Sequence, residues 1–302
     1  EMATEQEESS KPANREYGGR ILARSQVERL LQVGLRGFAV LMLLFLWLPL
    51  LLIIFLSFAE SPSLVPFEGF TLSHYQSIVG EPGLRPSIVT SFTIATLSAT
   101  VATVLGVLSS FALTRHRFPL REAYRTFGIV PMIIPGVILA VGLRFYFDLV
   151  FGLGPSFAPT VLTHSLYGLP FVLLIVSARL YTFDESLEQA ARDLGADPLT
   201  TFRDITLPVI APAVGAGFLF AWVRSFEDYI RALFVSGIST EPLTQWMFGK
   251  ITKASAENIN LLNVASTLVV AVIAVALAVA MNYGNVSGYV AGTHEDIEDD
   301  TE

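Results

Sequence analysis

The amino-acid sequence predicts an all-α, polytopic membrane protein with six transmembrane helices. Hydrophobic residues make up 52% of the 302-residue chain and charged residues only 15%. Soluble domains carry about 25% charged residues, because most of their surface faces water. Several apolar runs close to 20 residues long are also sufficient to cross a hydrocarbon layer about 30 Å thick. The lipid bilayer is therefore the first partner that the sequence predicts.

The first predicted transmembrane helix spans residues 38–58, an apolar run without a charged residue. It follows a polar segment, residues 1–37, which we expect to form a cytoplasmic N-terminal tail. An arginine-rich flank before an apolar run is also typical of a secretory signal, but this run is too long and lacks a cleavage site of small residues. We therefore predict a retained transmembrane helix.

Five more transmembrane helices are predicted within residues 84–283. Their apolar runs are residues 88–113, 127–147, 161–180, 209–222 and 261–281. Prolines within or near these runs are predicted to kink the helices, because neighbouring helices and polar side chains can satisfy the freed carbonyl groups. The acidic segment 284–302 is predicted to be a solvated tail, and adaptation to a salty cytoplasm is an alternative explanation of its charge.

The distribution of basic residues predicts which side of the membrane each loop faces. Lys and Arg in short loops favour the cytoplasmic side. Thirteen basic residues occur in the N-terminal tail, the loop after the second helix and the loop after the fourth, against five in the loops of the opposite side. We therefore expect a multi-pass protein of the cell membrane with both termini, and the 184–208 loop, in the cytoplasm.

The loop at residues 184–208 carries the most specific pattern in the sequence. Residues 185–194 are largely helix formers, and Gly195 can provide a left-handed C-terminal cap for that helix. Asp197 can then cap a second short helix, with Pro198 at its first position, where a missing N–H group costs nothing. The pattern predicts a helix, a glycine turn and a second helix.

The second short helix is predicted to carry an apolar stripe. Leu199, Phe202 and Ile205 fall three residues apart and therefore share one helical face. We expect Pro208 to end this helix at the membrane surface. A compact projection with an apolar stripe and charged flanks suits docking into a groove of a partner protein.

The spacing in this loop is similar to the Glu-Ala-Ala signature of binding-protein-dependent ABC importer permeases of type I, the MetI-like permeases. That signature is Glu-Ala-Ala, three residues, Gly, nine residues, Ile, any residue and Leu-Pro. At the same spacing, this chain has Gln189-Ala190-Ala191, Gly195 and Ile205-Thr206-Leu207-Pro208. One residue departs from the pattern, because Gln189 stands where the acid is usual, although Glu188 comes directly before it.

Further segments resemble the spermidine/putrescine branch of these permeases. They are Phe70-Thr71-Leu72 with Tyr75, Ala178-Arg179-Leu180, and Ser225-Phe226-Glu227-Asp228. Permeases for ferric iron, sulfate, thiamine or phosphonates share much of this pattern. The resemblance therefore implies transport of a small polar solute and favours a polyamine, with the other solutes left open.

The resemblance implies a permease subunit of an ATP-driven importer and not an enzyme. Such a subunit pairs with a second permease, identical or homologous, and receives its solute from an extracytoplasmic solute-binding protein. Cytoplasmic ATPase subunits bind the loop. Because the chain contains no Gly-x-x-x-x-Gly-Lys-[Ser/Thr] phosphate-binding motif, ATP hydrolysis is expected in those separate subunits. The implied docking residues are Glu188, Gln189, Ala190, Ala191, Gly195, Leu199, Phe202, Ile205, Leu207 and Pro208.

Four ionisable residues are candidates for the translocation path, because such residues are costly inside a membrane. They are Glu227, Asp228, His164 and Arg144. Each also has a structural explanation: the two acids can pair with Arg224 or Arg231, the histidine can form an interhelical hydrogen bond, and Arg144 can extend to the outer surface. No cofactor, metal site or nucleic-acid surface is predicted.

Two other functional classes are compatible with a helical membrane protein. A secondary transporter should show an internal repeat with helices broken at matching positions, and no such repeat is evident in the sequence. A membrane enzyme would need several polar catalytic groups converging within the helices, and few such groups are present.

Overall fold

The computed structural model describes residues 13–253 and 255–283. Residues 1–12 of the predicted N-terminal tail and the whole predicted acidic tail, residues 284–302, lie outside the described residues. The chain divides into two compact units, residues 1–56 and 57–302. We describe each unit by itself.

The first unit is formed by one long helix, α1, which spans Ala13–Ser57. The helix begins within the segment predicted as a polar tail, so part of that segment continues the transmembrane helix. Its stretch Leu31–Ser57 has a mean hydropathy of 3.0 and is long enough to cross a membrane. Most of the large apolar side chains of Leu31–Ser57 are exposed, which suits an apolar environment and not water.

The second unit consists, in its described residues, of helices and the loops that join them. A short α2 (Ser73–Ser77) and a 3₁₀ turn precede the long helices. The further elements are α3 (Leu84–Arg115), α4 (Arg121–Ile133), α5 (Gly136–Phe151), α6 (Phe157–Tyr181), α7 (Ser186–Asp193), α8 (Pro198–Thr201), α9 (Leu207–Phe226), α10 (Ile230–Val235), α11 (Leu243–Ile251) and α12 (Ala256–Tyr283).

The core of the second unit lies where α3, α6 and α9 pack together. The buried face of α3 consists largely of small residues, which allow helix backbones to approach closely in a membrane. At its centre, Val172 of α6 lies between Gly106 of α3 and Gly217 of α9. A Cβ atom at Gly106 would lie 2.7 Å from the Val172 Cβ, and one at Gly217 would lie 3.3 Å from the Val172 Cα.

Serine hydroxyls add hydrogen bonds between the same helices. Ser98 Oγ donates to the Val161 carbonyl at 3.1 Å, and Ser110 Oγ donates to the Leu173 carbonyl at 3.0 Å. Both serines are buried on α3, and both acceptors are on α6. Glycine therefore lets α3 and α6 approach closely, and the hydroxyl groups of Ser98 and Ser110 are satisfied by the backbone of α6.

The third predicted transmembrane helix differs from the expectation. Instead of one kinked helix over residues 127–147, the chain forms α4 and α5, which meet at an angle of 109°. The break lies at Ile134 and Pro135, because proline disfavours the helical conformation of the residue before it and Ile134 is extended. The described residues thus contain five helices long enough to span a membrane, and six spans if the bent pair counts as one.

Candidate functional site

The glycine turn predicted in the 184–208 loop is present. Gly195 follows α7 with a φ of +91°, which is in the left-handed region. Its N–H donates to the Arg192 carbonyl at 2.9 Å, and the N–H of Ala196 donates to the Ala191 carbonyl at 3.0 Å. This pair of bonds is the Schellman arrangement, which satisfies the last carbonyls of a helix and reverses the chain.

The predicted cap of the second short helix is also present. Asp197 Oδ1 accepts hydrogen bonds from the backbone N–H groups of Leu199 at 2.8 Å and Thr200 at 2.9 Å. Pro198 occupies the first turn. The pKa of the exposed Asp197 carboxyl is lowered, mainly because the Thr200 N–H stabilises its charged form.

The prediction that Pro208 ends this helix is wrong. The helix continues from α8 through a π turn, Phe202–Thr206, directly into α9. In the π turn, the N–H of Leu207 donates to the carbonyl of Phe202, five residues earlier. Pro208 has no N–H and its ring crowds the carbonyl four residues earlier, so a locally wider turn accommodates it within a continuous helix.

The predicted apolar stripe is divided between the interior and the surface. Phe202 is partly buried and lies edge-to-face with Phe111 of α3, at 5.6 Å between ring centroids. Ile205 packs against the core of the unit, whereas the side chain of Leu199 is 74% exposed. The apolar docking surface therefore cannot consist of all three residues as the chain is folded here.

The exposed part of the loop includes a residue that sequence reasoning missed. Leu194, at the end of α7, is 91% exposed, and a hollow of about 390 Å³ beside it is lined by residues that include Ala191, Gly195 and Ile205. The sequence could have indicated Leu194, because it stands directly before the glycine turn, where a side chain has no neighbouring helix to pack against. Of the remaining predicted docking residues, those exposed are Gln189, Ala190, Leu207 and Pro208.

Glu188 faces the interior of its own chain. Its Oε1 accepts hydrogen bonds from Thr206 Oγ1 at 2.7 Å and from Arg115 Nη2 at 3.3 Å. Arg115, the last residue of α3, also pairs with Glu185 at 2.5 Å. Sequence reasoning missed Arg115, and these contacts place the end of α3 and the 184–208 loop at the same end of the helices.

The acidic candidates for the translocation path are each paired with an arginine three residues away. Glu227 forms an ion pair with Arg224, and Asp228 Oδ2 accepts from Arg231 Nη1 at 2.5 Å. The Asp228–Arg231 pair is buried. The two carboxylates therefore face cations of their own chain, which is the structural explanation that the sequence left open for them.

An aromatic residue that the sequence did not indicate joins both pairs. The guanidinium of Arg231 lies 3.3 Å from the ring centroid of Tyr167 on α6. Arg224 Nη2 donates to the hydroxyl of the same tyrosine at 2.5 Å. Tyr167 therefore connects α6 to the end of α9 through a hydrogen bond and to α10 through a cation–π contact.

The remaining two path candidates have different surroundings. His164 is buried on α6, and its Nδ1 shares a hydrogen bond of 2.8 Å with Ser225 Oγ of α9. Among the described residues, its Nε2 has no hydrogen-bond partner. Arg144 of α5 lies 3.7 Å from Asp148, one turn later on the same helix. The histidine thus connects two core helices, and the arginine is partly exposed.

Sequence comparison identifies a protein family and several relatives. Residues 102–285 match the family described as "Binding-protein-dependent transport system inner membrane component". The spermidine/putrescine transport system permease protein PotC of Haemophilus influenzae is 32% identical over 218 residues, which cover 72% of this chain and 84% of that protein. The putrescine transport system permease protein PotI of Escherichia coli K12 is 32% identical over 224 residues, covering 72% and 80%.

Solved structures of the same fold come from ABC transporters. A chain of a transporter "involved in the import of the acidic polysaccharide alginate" aligns with a TM-score of 0.68 at 14% identity, covering 85% of this chain and 97% of that chain. A chain of the MetNI methionine ABC transporter in an inward-facing conformation aligns with a TM-score of 0.58 at 16% identity, covering 67% and 95%. At this identity, the likeness concerns the fold alone.

Proposed function

Because this chain belongs to the family of binding-protein-dependent transport system inner membrane components, and is a permease subunit of an ABC importer, we propose that it translocates a polyamine such as spermidine or putrescine. The support is the identity of 32% to permeases named for spermidine and putrescine, over 72% of this chain. Membership in this family also disfavours a secondary transporter.

The proposal includes the partners that drive transport. The 184–208 loop binds a cytoplasmic ATPase subunit, a second permease subunit completes the path, and an extracytoplasmic solute-binding protein delivers the polyamine. Both termini and the loop then lie in the cytoplasm of a cell-membrane transporter. The observation that carries the docking role is the stiff, exposed turn, in which the Schellman bonds and the Asp197 cap present Leu194 and Leu199 to a partner.

The docking role is tested with Leu194→Glu and Leu199→Glu. Both side chains are exposed, so these changes remove little packing within the chain but place a charge in an apolar interface. We expect each variant to retain at least tenfold less ATPase than wild type when the permease is purified through an affinity tag. Leu120→Glu is the matched control, because Leu120 is equally exposed and lies between α3 and α4, at the same end.

Gly195→Asp provides a second variant with a different physical basis, since an aspartate at a φ of +91° strains the turn. Its matched control is Gly154→Asp, where a Cβ atom meets open space and no left-handed backbone is required. Wild-type amounts of ATPase on all three loop variants would contradict docking through this loop.

The substrate is tested by uptake of labelled spermidine into proteoliposomes that contain the complete transporter and an excess of its binding protein. We expect ATP-dependent uptake that unlabelled putrescine inhibits and that sulfate, thiamine and ferric iron do not. ATP-dependent uptake of one of those other solutes, without spermidine uptake, would contradict the polyamine proposal and leave the permease role intact.

The path residues stay a prediction within this proposal. Glu227 and Asp228 are the acids that can attract an ammonium group, but they now pair with Arg224 and Arg231. A polyamine that binds one of these carboxylates would therefore displace the arginine that now pairs with it. His164, which bonds Ser225 close to these acids, and Arg144 of α5 remain candidates.

A further inference from the structure

A partly buried ionic bridge joins α7 to the end of α3 and to the π turn that leads into α9. The carboxylate of Glu188 on α7 binds Arg115, the last residue of α3, and Thr206, the last residue of the π turn before α9. The side chains of Arg115 and Glu188 are only 16% and 15% exposed. One carboxylate thus connects three elements.

The helix that carries Glu188 has little else to hold it. None of the eight residues of α7 is buried, so apolar packing contributes little to its position. A cleft of about 380 Å³ lies beside it, lined by polar and apolar residues that include His116, Pro198 and Thr201. Because α7 borders a cleft and not a packed core, its side-chain bonds decide how firmly it follows the membrane helices.

Arg115 strengthens this connection through two further contacts. Besides Glu188, it pairs with Glu185 at 2.5 Å, and its guanidinium lies 4.9 Å from the ring centroid of Phe183. Hydrogen bonds between ionised groups are roughly twice as strong as neutral ones, and salt screens partly buried pairs less than exposed pairs. Arg115 therefore holds the start of α7 and the segment before it.

The other ion pairs of the loop are longer and involve exposed arginines. Arg192 lies 3.8 Å from Glu188 but is 59% exposed, and the exposed Arg203 lies 3.9 Å from the neighbouring Asp204. Exposed pairs at such distances contribute little to stability. The partly buried bridge is thus the ionic contact of the loop that can transmit force.

We propose that the bridge of Arg115, Glu188 and Thr206 is the rigid joint that makes α7, which leads to the docked Leu194, move together with α3 and with the continuous helix of α8 and α9. The inference rests on the proposed docking role of the loop, and it gives Glu188 a role separate from contact with the ATPase. Glu188 is a positioning residue that acts inside the permease, while Leu194 and Leu199 contact the ATPase. With the joint broken, α7 yields into the cleft when the ATPase closes, and the helices receive less of the movement.

The test uses the complete transporter in proteoliposomes with its binding protein and spermidine. Two quantities are measured: the ATPase that co-purifies with the tagged permease, and the ratio of ATPase activity with the loaded binding protein to activity without it. For Glu188→Gln, Arg115→Met and Thr206→Val, we expect the ratio to fall at least fivefold while co-purification stays within twofold of wild type.

Two further variants separate transmission from general damage. Arg117→Met removes an exposed arginine two residues after Arg115, and it should leave the ratio unchanged. The exchange Arg115→Glu with Glu188→Arg restores opposite charges across the bridge, so we expect a higher ratio than with either reversal alone. Recovery in the exchanged pair is a result that a merely misfolded loop would not produce.

The inference and the docking proposal fail in different ways. A wild-type ratio for Glu188→Gln, or loss of co-purifying ATPase in the bridge variants, would overturn the joint, because Glu188 would then be dispensable or part of the docking surface. Absence of recovery in the exchanged pair would also overturn it. Wild-type co-purification with all three loop variants, Leu194→Glu, Leu199→Glu and Gly195→Asp, would in contrast contradict docking through the loop.

Discussion

Gly195 and Asp197 set the direction of the chain at the tip of the 184–208 loop. The glycine occupies a left-handed conformation that ends α7, and the aspartate accepts the first free N–H groups of the following helix. Both effects depend on a few atoms of the same segment. The tip can therefore keep its shape independently of distant contacts, and its residues can be tested one at a time.

Replacing Gly195 with alanine should loosen the turn without a steric clash. A Cβ atom there meets no other atom within 4 Å, so the cost comes from the left-handed backbone and amounts to roughly 1–2 kcal/mol. We expect faster hydrogen–deuterium exchange in residues 190–200 of the Gly195→Ala permease. Gly249→Ala, in the helix α11 and also in open space, should not raise exchange, and equal exchange in both variants would contradict the role of φ.

Acidification should weaken the Asp197 cap. The folded state lowers the pKa of this carboxyl, so its stabilising effect is complete above the ordinary pKa of about 3.9 and is lost as pH falls through the lower folded value. We expect exchange of the Leu199 and Thr200 amides to rise below about pH 4, relative to Asp197→Asn. The asparagine caps without titrating, and parallel pH profiles for the two proteins would contradict this explanation.

At the scale of elements, the permease core depends on how closely three helices approach. Val172 of α6 fills the space left by Gly106 of α3 and Gly217 of α9, and serine hydroxyls of α3 bond the backbone of α6. Close approach of this kind replaces the hydrophobic driving force that helices lack among lipid tails. Even one added methyl group must therefore move a helix.

The variant Gly106→Ala should destabilise the transporter by about 1–3 kcal/mol, as overpacking of a filled core does. Thermal unfolding in detergent measures the loss, with Gly142→Ala as the control, because a Cβ atom at Gly142 meets open space. The added Val172→Gly change removes the Cβ atom that the new methyl group would meet, so the double variant should be more stable than the sum of the two single effects indicates. Strict additivity would show that the two residues do not compete for the same space.

At the scale of the whole molecule, the contacts within the second unit show which loops lie at the same end of the helices. The end with Arg115 also holds the 184–208 loop. At the other end, Lys250 of α11 pairs with Glu81 before α3, and Trp246 Nε1 donates to the Pro82 carbonyl at 3.1 Å. Several basic residues of that end therefore pair with acids of the same chain. The excess of basic residues thus lies at the end that holds Arg115.

Because the sequence contains no cysteine, single introduced cysteines can test this orientation. We expect Ser239→Cys, in the exposed loop between α10 and α11, to react with a membrane-impermeant maleimide in intact cells. Arg117→Cys should react only after the membrane is opened, since basic loops stay in the cytoplasm. Reaction of Arg117→Cys in intact cells would reverse the proposed orientation.

The sequence by itself determined the helical membrane class, the approximate spans, the permease resemblance, the Gly195 turn and the Asp197 cap. These features follow from hydropathy over about 20 residues or from the conformational preferences of single residues. Both depend only on residues that are close together in the sequence. Only the tertiary structure decided that Glu188 faces inward, because its partner Arg115 lies 73 residues away. The same holds for the 109° bend between α4 and α5 and for the division of the apolar stripe. The direction of a helix after a proline, and the side of a stripe that becomes buried, depend on which neighbour packs there.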